Sequence, residues 1–177
     1  GKEVLSFILV PAGHAGANKE LLHNLELPYQ AVTSTDLYLT HYLNDSANDP
    51  VMNRIRAQKL RNSEEDKVKI FFVPSYLNGD DGVLNMPYYD LLVGMDLTAF
   101  PSYYEPWGYT PLESLAFKVP TITTTLAGFG LWVKEHYNMN HPGIEVIHRE
   151  DGDASNVATA IAEWVKNYTQ VGETEMQ

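Results

Sequence analysis

Short apolar or β-branched runs alternate with longer amphipathic segments along this chain. Such alternation is typical of βαβ units, in which helices connect the strands of a mostly parallel sheet. The pattern therefore predicts an α/β fold with a doubly wound, mostly parallel sheet. Strands are predicted at residues 5–10, 37–40, 68–73, 97–100, 121–124 and 144–147.

The segments between these runs carry the helical period of apolar residues. Loop signals fill residues 12–16 and 25–35, and the polar, acidic residues 169–177 are expected to form a frayed tail. We therefore predict one domain over residues 1–168, with no second domain in what remains. Helices are predicted at residues 18–25, 50–60, 88–93, 111–117, 130–137 and 155–168.

Charge and composition argue against some classes of binding partner for this chain. Among its 177 residues, 12 Lys and Arg stand against 23 Asp and Glu, and the net charge is −11. An acidic surface repels nucleic acid and anionic membranes, so neither is expected as a partner. The longest apolar run, residues 4–10, is far shorter than the roughly 20 residues that span a bilayer. The lack of cysteine is compatible with a reducing cytoplasm, where we expect the protein to work.

The most informative segment is residues 101–113, which follow the fourth predicted strand and lead into a helix. Thr110 is a good N-cap residue, and Pro111 suits the first helical position. Glu113 stands three residues after Thr110, as a capping box requires. These residues predict a helix that is capped by Thr110 and begins at Pro111.

A helix start at this place creates a candidate anion site. Unpaired backbone N–H groups and the positive end of the helix dipole attract phosphate, and Gly108 permits close approach. Because the chain is acidic, such a site depends on backbone donors more than on cations. Gly108, Tyr109 and Thr110 are therefore predicted to hold a diphosphate.

The same segment resembles a known family. Glu105 and Glu113 flank seven residues that include Pro-Trp-Gly-Tyr-Thr-Pro, and this resembles the signature of glycogen synthases of the animal and fungal type. The similarity extends through residues 40–50, 68–78 and 119–130.

The resemblance implies a GT-B glycosyltransferase, in which two Rossmann-like lobes close over a nucleotide sugar. This chain is then the carboxyl-terminal, donor-binding lobe, and the acceptor lobe is missing. The implied reaction moves glucose from UDP-glucose to the nonreducing end of an α-1,4-glucan with retention and without a metal or other cofactor. Glu105 is expected to contact the glucose hydroxyls as the catalytic residue, and Glu113 to lie at the nucleotide. Gly108, Tyr109 and Thr110 hold the phosphates by the same similarity, and Tyr76 and Tyr88 match aromatic positions near the base.

Each of these residues also has a structural interpretation. The capping box alone accounts for Glu113, and a solvated turn accounts for Glu105. Trp107 is either a core anchor or an aromatic wall for the ligand. Two rival functions stay open, a nucleotide-sugar epimerase of the same architecture and a noncatalytic nucleotide-binding module.

Other polar motifs are interpreted as structural. Asp151-Gly-Asp153 precedes the last predicted helix, where Asp153 or Ser155 suits the N-cap. Residues 78–82 lack the spaced ligands of a calcium loop and predict a tight turn. The histidines form no pair at metal-ligand spacing, so no metal site is predicted, and His41 is expected to be packed or on the surface.

Two departures from the family concern phosphate and effector binding. The resemblance places an Arg and a Lys that grip the donor phosphates just before residue 1, and the start Gly1-Lys2-Glu3 suggests an excised piece. The arginine-rich helix that senses glucose 6-phosphate also has no counterpart, since the last predicted helix carries only Lys166. We expect the isolated chain to bind nucleotide weakly and not to turn over. Preference for UDP or ADP, the primer and oligomerisation of the parent protein are left open.

Overall fold

The structure is a computed structural model that describes residues 3–27, 37–137 and 143–170. The chain separates into two compact units, Gly1–Tyr88 and Tyr89–Gln177. Each unit combines helices with parallel strands, so the predicted α/β class is confirmed. The single domain predicted over residues 1–168 stays a prediction.

The first unit is built around parallel strands. β1 (Val4–Leu9) pairs in parallel with β4 (Val68–Val73), with Val4 opposite Val68 and Leu9 opposite Val73. The strand predicted at residues 37–40 lies on the other side of β4 but is reduced to one parallel bridge, between Leu39 and Phe72.

A buried cluster packs against these strands. The helix α2 (Pro50–Ala57) starts as its sequence predicts, with the Asp49 carboxylate accepting from the N–H of Met52 at 2.8 Å and Pro50 in the first turn. The apolar face of α2 then covers the strands. The buried members of the cluster are Tyr38, Leu39, Met52, Ile55 and Phe72.

One loop prediction is wrong in this unit. Residues 12–16 were expected to form a loop, yet β2 (His14–Ala17) pairs antiparallel with β3 (His41–Leu43). The pairing is continued by Asn18 N–H to Thr40 O at 2.8 Å and by Asn44 N–H to Gly13 O at 3.0 Å. Backbone hydrogen bonds make this ribbon, and its Ala-Gly-Ala sequence has no strand propensity to reveal it. The helix α1 (Lys19–Glu26) follows it.

The second unit contains a parallel sheet in the order β5-β6-β7. Its strands are β5 (Thr98–Ala99), β6 (Thr121–Thr124) and β7 (Ile144–Ile147), and the predictions for β6 and β7 are confirmed residue for residue. β6 is central, and all four of its residues are buried. The helices are α3 (Tyr88–Leu92), which begins at the boundary between the units, α4 (Tyr109–Ala116), α5 (Gly128–His136) and α6 (Ala154–Gln170).

Two apolar clusters hold the second unit together. Ile122 of β6, Ile147 of β7 and Val157 of α6 form one, and Phe129, Val133 and Ile144 form the other. The helix α6 continues to Gln170, so Thr169 and Gln170 are helical although the tail was predicted to begin there. Residues 171–177 of that predicted tail and most of the loop predicted at 25–35 lie outside the described residues.

Candidate functional site

The glutamate loop, residues 101–105, leaves the sheet after β5. The N–H of Phe100 still donates to the carbonyl of Ile122 at 2.8 Å. Beyond it, the carbonyl of Ser102 accepts a hydrogen bond from the hydroxyl of Thr124 at 3.1 Å. The carboxyl end of β6 therefore holds the first half of this loop.

The far end of the glutamate loop is held by backbone alone. The N–H of Glu105 donates to Leu126 O at 3.1 Å, and the N–H of Gly128 donates to Glu105 O at 3.1 Å, so that Glu105 bridges Ala127 in parallel. A Cβ on Gly128 would lie 2.3 Å from the carbonyl oxygen of Pro106, which explains the glycine. The main chain of Glu105 is thus fixed while its side chain is exposed.

Gly108 follows in a left-handed conformation, with φ 95° and ψ 75°. Only glycine adopts such a φ without strain. A Cβ built there would lie 3.3 Å from Cγ of Glu105, 3.4 Å from Cγ of Pro111 and 3.5 Å from Cβ of Ala127. The side chain of Glu105 therefore lies directly against Gly108, the residue immediately before α4.

The predicted capping box is wrong. The N-cap residue of α4 is Gly108, which makes no side-chain cap hydrogen bond, and the helix begins at Tyr109. Thr110 and Pro111 are its second and third residues, so Thr110 is not the cap. The left-handed turn at Gly108 lets the helix start earlier than side-chain capping rules predict. Pro111 is tolerated because a first-turn N–H has no intrahelical partner.

The start of α4 offers backbone donors. Among the described residues, none accepts a hydrogen bond from the N–H of Tyr109 or Thr110, and Pro111 has no N–H. These two donors stand at the positive end of the helix dipole. Tyr109 and Thr110 are both exposed residues.

At the start of the neighbouring helix α5, the first two backbone N–H groups do have acceptors. Its first two N–H groups, of Gly128 and Phe129, donate to the carbonyls of Glu105 and Trp107 at 3.1 and 2.6 Å. The first two donors of α5 are thus taken by the protein itself, whereas the first two donors of α4 have no acceptor in the part of the chain described.

Glu113 lies half-buried on α4, and its Oε1 accepts a hydrogen bond of 3.0 Å from the hydroxyl of Tyr89. This bond and the negative charge of Glu113 raise the pKa of Tyr89 above its ordinary value. The ring of Tyr89 also packs on Phe117 at 5.4 Å between centroids. Nothing in the sequence marked Tyr89 as a partner of Glu113, because the pair joins residues 24 positions apart.

Trp107 is packed on one side, as expected of an anchor, and its role as a ligand wall stays a prediction. Its ring contacts the rings of Phe129 and Trp132, at centroid distances of 5.9 and 6.4 Å. It nevertheless keeps 36% of its surface exposed. One part of the ring thus anchors the loop while the rest is exposed to solvent.

Tyr76 and Tyr88 belong to the first unit. Tyr76 is 78% exposed shortly after β4, and Tyr88 opens α3 with its N–H donating to the carbonyl of Leu77 at 3.0 Å. The residues Glu105, Trp107, Gly108, Tyr109, Thr110 and Glu113 all lie in the second unit. The role of Tyr76 and Tyr88 near a base stays a prediction.

Asp153 and His41, which were interpreted as structural, both make contacts within the protein. Asp153 directly precedes α6, and its carbonyl accepts the N–H of Val157 at 3.2 Å, which puts it at the N-cap position in place of Ser155. His41 is fully buried, with Nδ1 2.8 Å from the hydroxyl of Thr40 and Nε2 2.9 Å from the carbonyl of Asp81. Of the two expectations for His41, packed or on the surface, the packed one is confirmed.

The turn around Asp81 is closed by its carboxylate, which accepts the backbone N–H groups of Val83, Leu84 and Asn85 at 2.8–3.0 Å. Burial acts to raise the pKa of Asp81, but these hydrogen bonds outweigh burial and hold the pKa below its ordinary value. Within residues 3–27, 37–137 and 143–170, no cluster of three His, Asp or Glu could hold a metal ion. None of the helices described is long and apolar enough to cross a bilayer.

Known proteins resemble this chain over most of its length. The family model described as glycogen synthase matches residues 21–175. Glycogen [starch] synthase isoform 2 of Saccharomyces cerevisiae is 38% identical over 135 residues, which cover 72% of this chain and 19% of the yeast protein. The liver glycogen [starch] synthase of Mus musculus is 43% identical over 97 residues, or 55% of this chain and 14% of the mouse protein.

A nematode protein is similar to this chain as well. Glycogen [starch] synthase of Caenorhabditis elegans is 39% identical over 118 residues, covering 66% of this chain and 18% of that protein. The chain therefore spans about a fifth of the length of these relatives. The family match decides against the epimerase considered above. With its signature segment intact between Glu105 and Glu113, the chain belongs to the glycogen synthase family.

Proposed function

We propose that this chain is the donor-binding part of a retaining GT-B glycosyltransferase. In its parent protein it transfers glucose from UDP-glucose to the nonreducing end of an α-1,4-glucan. The missing amino-terminal lobe supplies the acceptor side. The short coverage of the relatives supports a partial protein, and their names support the glucan product.

The observation that carries the proposal is the opening of α4. The N–H groups of Tyr109 and Thr110 have no acceptor in the described protein, and they lie beside the left-handed Gly108. Backbone donors at a helix start bind phosphate without needing cations, which suits a chain of net charge −11. The diphosphate of the donor is assigned to this opening.

Glu105 is assigned to the sugar. Its side chain lies against Gly108, so a glucose attached to a diphosphate at α4 falls within its reach. A carboxylate accepts strong hydrogen bonds from sugar hydroxyls, and these strengthen as the sugar ring becomes cationic in the transition state. The bond from the anomeric carbon to the diphosphate oxygen breaks, and UDP leaves with the electron pair. The acceptor hydroxyl oxygen forms the new glycosidic bond, and its proton passes to the departing diphosphate oxygen.

The remaining assignments are part of the same proposal. Glu113, which Tyr89 holds by its hydroxyl, is assigned to the nucleotide. We assign no metal or other cofactor to the reaction. The placement of Tyr76 and Tyr88 at the base, a cytoplasmic location and oligomerisation of the parent stay predictions.

Nucleotide titration tests the proposal. UDP, ADP and UDP-glucose are added separately to the ¹⁵N-labelled chain while the amides of Tyr109 and Thr110 are followed by NMR. We expect both amides to shift with UDP and UDP-glucose at submillimolar to millimolar ligand, since two backbone donors give modest affinity. A chain whose α4 amides ignore all three nucleotides would refute the phosphate assignment.

Glu105 is tested by substitution with a matched control. Glu105→Gln is expected to weaken UDP-glucose binding about tenfold and UDP binding much less, since only the sugar contacts the carboxylate. Glu135→Gln, an exposed glutamate on α5, serves as control and should change neither. Equal losses for both ligands in Glu105→Gln would remove this residue from the sugar site.

A further inference from the structure

Arg149 holds the glutamate loop from behind. It follows β7 and is only 4% exposed. Its Nη1 donates to the carbonyls of Pro101 and Ser102, at 2.7 and 3.3 Å, and its guanidinium carbon lies 3.6 Å from the ring centroid of Tyr103. One side chain therefore contacts three consecutive residues of the loop that ends at Glu105.

The backbone of Arg149 is itself anchored to the sheet. Its N–H donates to the hydroxyl of Thr125 at 3.0 Å, and the N–H of Thr125 donates to the carbonyl of Ile147 at 3.0 Å. Arg149 thus extends from a rigid base at the carboxyl ends of β6 and β7. Because its backbone is fixed to the sheet, the Arg149 side chain holds the loop at a fixed position relative to the sheet.

Stability alone is a poor reason for a cation at this position. In the part of the chain that the structure describes, no carboxylate lies within 4.0 Å of Arg149, and its buried Nε has no hydrogen-bond partner. Burying a cation carries a desolvation cost that a packed apolar residue avoids. The carbonyl dipoles and the ring face of Tyr103 offset part of that cost. A role in shaping the loop explains why the charge is there.

We propose that Arg149 is a positioning residue that holds the glutamate loop so that Glu105 stands beside Gly108 at the opening of α4. Its importance for sugar binding rests on the function proposed above for Glu105. The guanidinium is suited to this task because one of its nitrogens donates to two carbonyls while its planar face stacks on the ring of Tyr103. A lysine keeps the charge and the hydrogen-bond donors but has no planar face to stack on that ring.

The first test measures the loop directly and needs no ligand. Amide hydrogen exchange is compared in the wild-type chain, Arg149→Met and Arg149→Lys. The reporting amides are those of Ser102, Glu105 and Gly128, which donate to Phe100, Leu126 and Glu105. We expect exchange at these amides to accelerate about tenfold in Arg149→Met relative to the amides of β6, and less in Arg149→Lys.

A matched control removes a charge elsewhere. Arg54 is exposed on α2, so Arg54→Met makes the same chemical change away from the loop and should leave all of these amides unchanged. If Arg149→Met unfolds, Arg149→Lys alone decides, because it keeps the charge and still loses the planar stacking on Tyr103. Unchanged loop exchange relative to β6 in a folded Arg149 variant would overturn the proposal.

The second test asks whether the loop matters for the sugar. The ratio of the dissociation constants for UDP and UDP-glucose reports the contribution of the glucose. We expect Arg149→Met to reduce this ratio about tenfold while UDP affinity stays within about twofold, and Arg149→Lys to restore part of the ratio. Faster loop exchange with an unchanged ratio would overturn the positioning role.

The two proposals fail in distinguishable ways. If the wild-type chain binds neither nucleotide, the function proposed above fails for this chain, and the exchange experiment still decides whether Arg149 orders the loop. If nucleotides bind but the Arg149 variants behave as wild type in both tests, only the assignment of Arg149 is refuted.

Discussion

The hydroxyl of Tyr89 donates a 3.0 Å hydrogen bond to Oε1 of Glu113, and this bond ties the segment before β5 to α4 within the second unit. It also occupies the carboxylate that the capping box would have used. Glu113 is therefore held by a side chain distant in sequence, and the start of α4 is left to Gly108.

The bond predicts how Tyr89 titrates. Glu113 raises the pKa of Tyr89, so Glu113→Gln should return that pKa toward the ordinary value of 10.0. The stabilisation from the neutral hydroxyl is fully present below pH 10 and is lost as the pH rises through the raised pKa. The measurement is a pH titration of ¹³C-labelled tyrosine by NMR, with Tyr89→Phe to assign the signal. Glu135→Gln should leave the Tyr89 curve unchanged, and a Tyr89 that titrates identically in Glu113→Gln would contradict the bond.

Gly128 is predicted to be intolerant of any side chain. A Cβ there would lie 2.3 Å from the carbonyl oxygen of Pro106, so the loop must shift to admit it. We expect Gly128→Ala to reduce the free energy of unfolding by about 1–3 kcal/mol, measured by urea denaturation. Gly143→Ala is the control, because its Cβ would lie 3.7 Å from Leu115, an ordinary contact. Equal stabilities of the two variants would show that the close approach is absent.

Asp81 is predicted to make the first unit sensitive to acid. The hydrogen bonds from Val83, Leu84 and Asn85 hold its pKa below the ordinary value of 3.8. The stability that its ionised form contributes is fully present above that value and is lost as the pH falls through the lower pKa of the folded state. We expect Asp81→Asn to cost about 1 kcal/mol at pH 7, and less as the pH falls below 4.

The measurement for Asp81 is urea denaturation at a series of pH values. Asp80→Asn is the matched control, because Asp80 is an exposed neighbour whose carboxylate closes no turn. The control should follow the wild type throughout. A constant difference between Asp81→Asn and wild type from pH 7 to pH 2 would contradict the linkage.

Asn62 is predicted to stabilise the first unit through its amide. It is buried at a φ of 53°, and its side chain accepts from the N–H of Ile70 and donates to the carbonyls of Ile70 and Leu37. Asn62→Ala should cost about 2–4 kcal/mol, because three hydrogen bonds disappear and alanine is strained at this φ. Asn62→Gly also loses the three hydrogen bonds but is not strained at this φ. It should therefore be about 1 kcal/mol more stable than Asn62→Ala in urea denaturation. If the glycine variant is as stable as wild type, the hydrogen bonds contribute nothing.

Strong local patterns were predictable from the sequence. The short apolar or β-branched runs at β4, β6 and β7 predicted the bounds of these strands, and Asp49 and Pro50 mark the start of α2 by rules that act within one turn. The segment between Glu105 and Glu113 likewise identified the family before any geometry was considered. Burial periodicity, turn chemistry and motif spacing are local properties, and a sequence displays them directly.

Long-range pairing decided the rest. The β2–β3 ribbon exists because backbone groups of residues 14–17 meet those of 41–43, and no propensity in Ala-Gly-Ala predicts such a meeting. The true start of α4 depends on the left-handed Gly108 packed between Glu105 and Ala127. The grip of Arg149 on residues 101–103 spans 46 or more positions of sequence. Chemistry and family could thus be inferred from residue order, whereas the orientation of the glutamate loop depends on contacts that form only after the chain has folded.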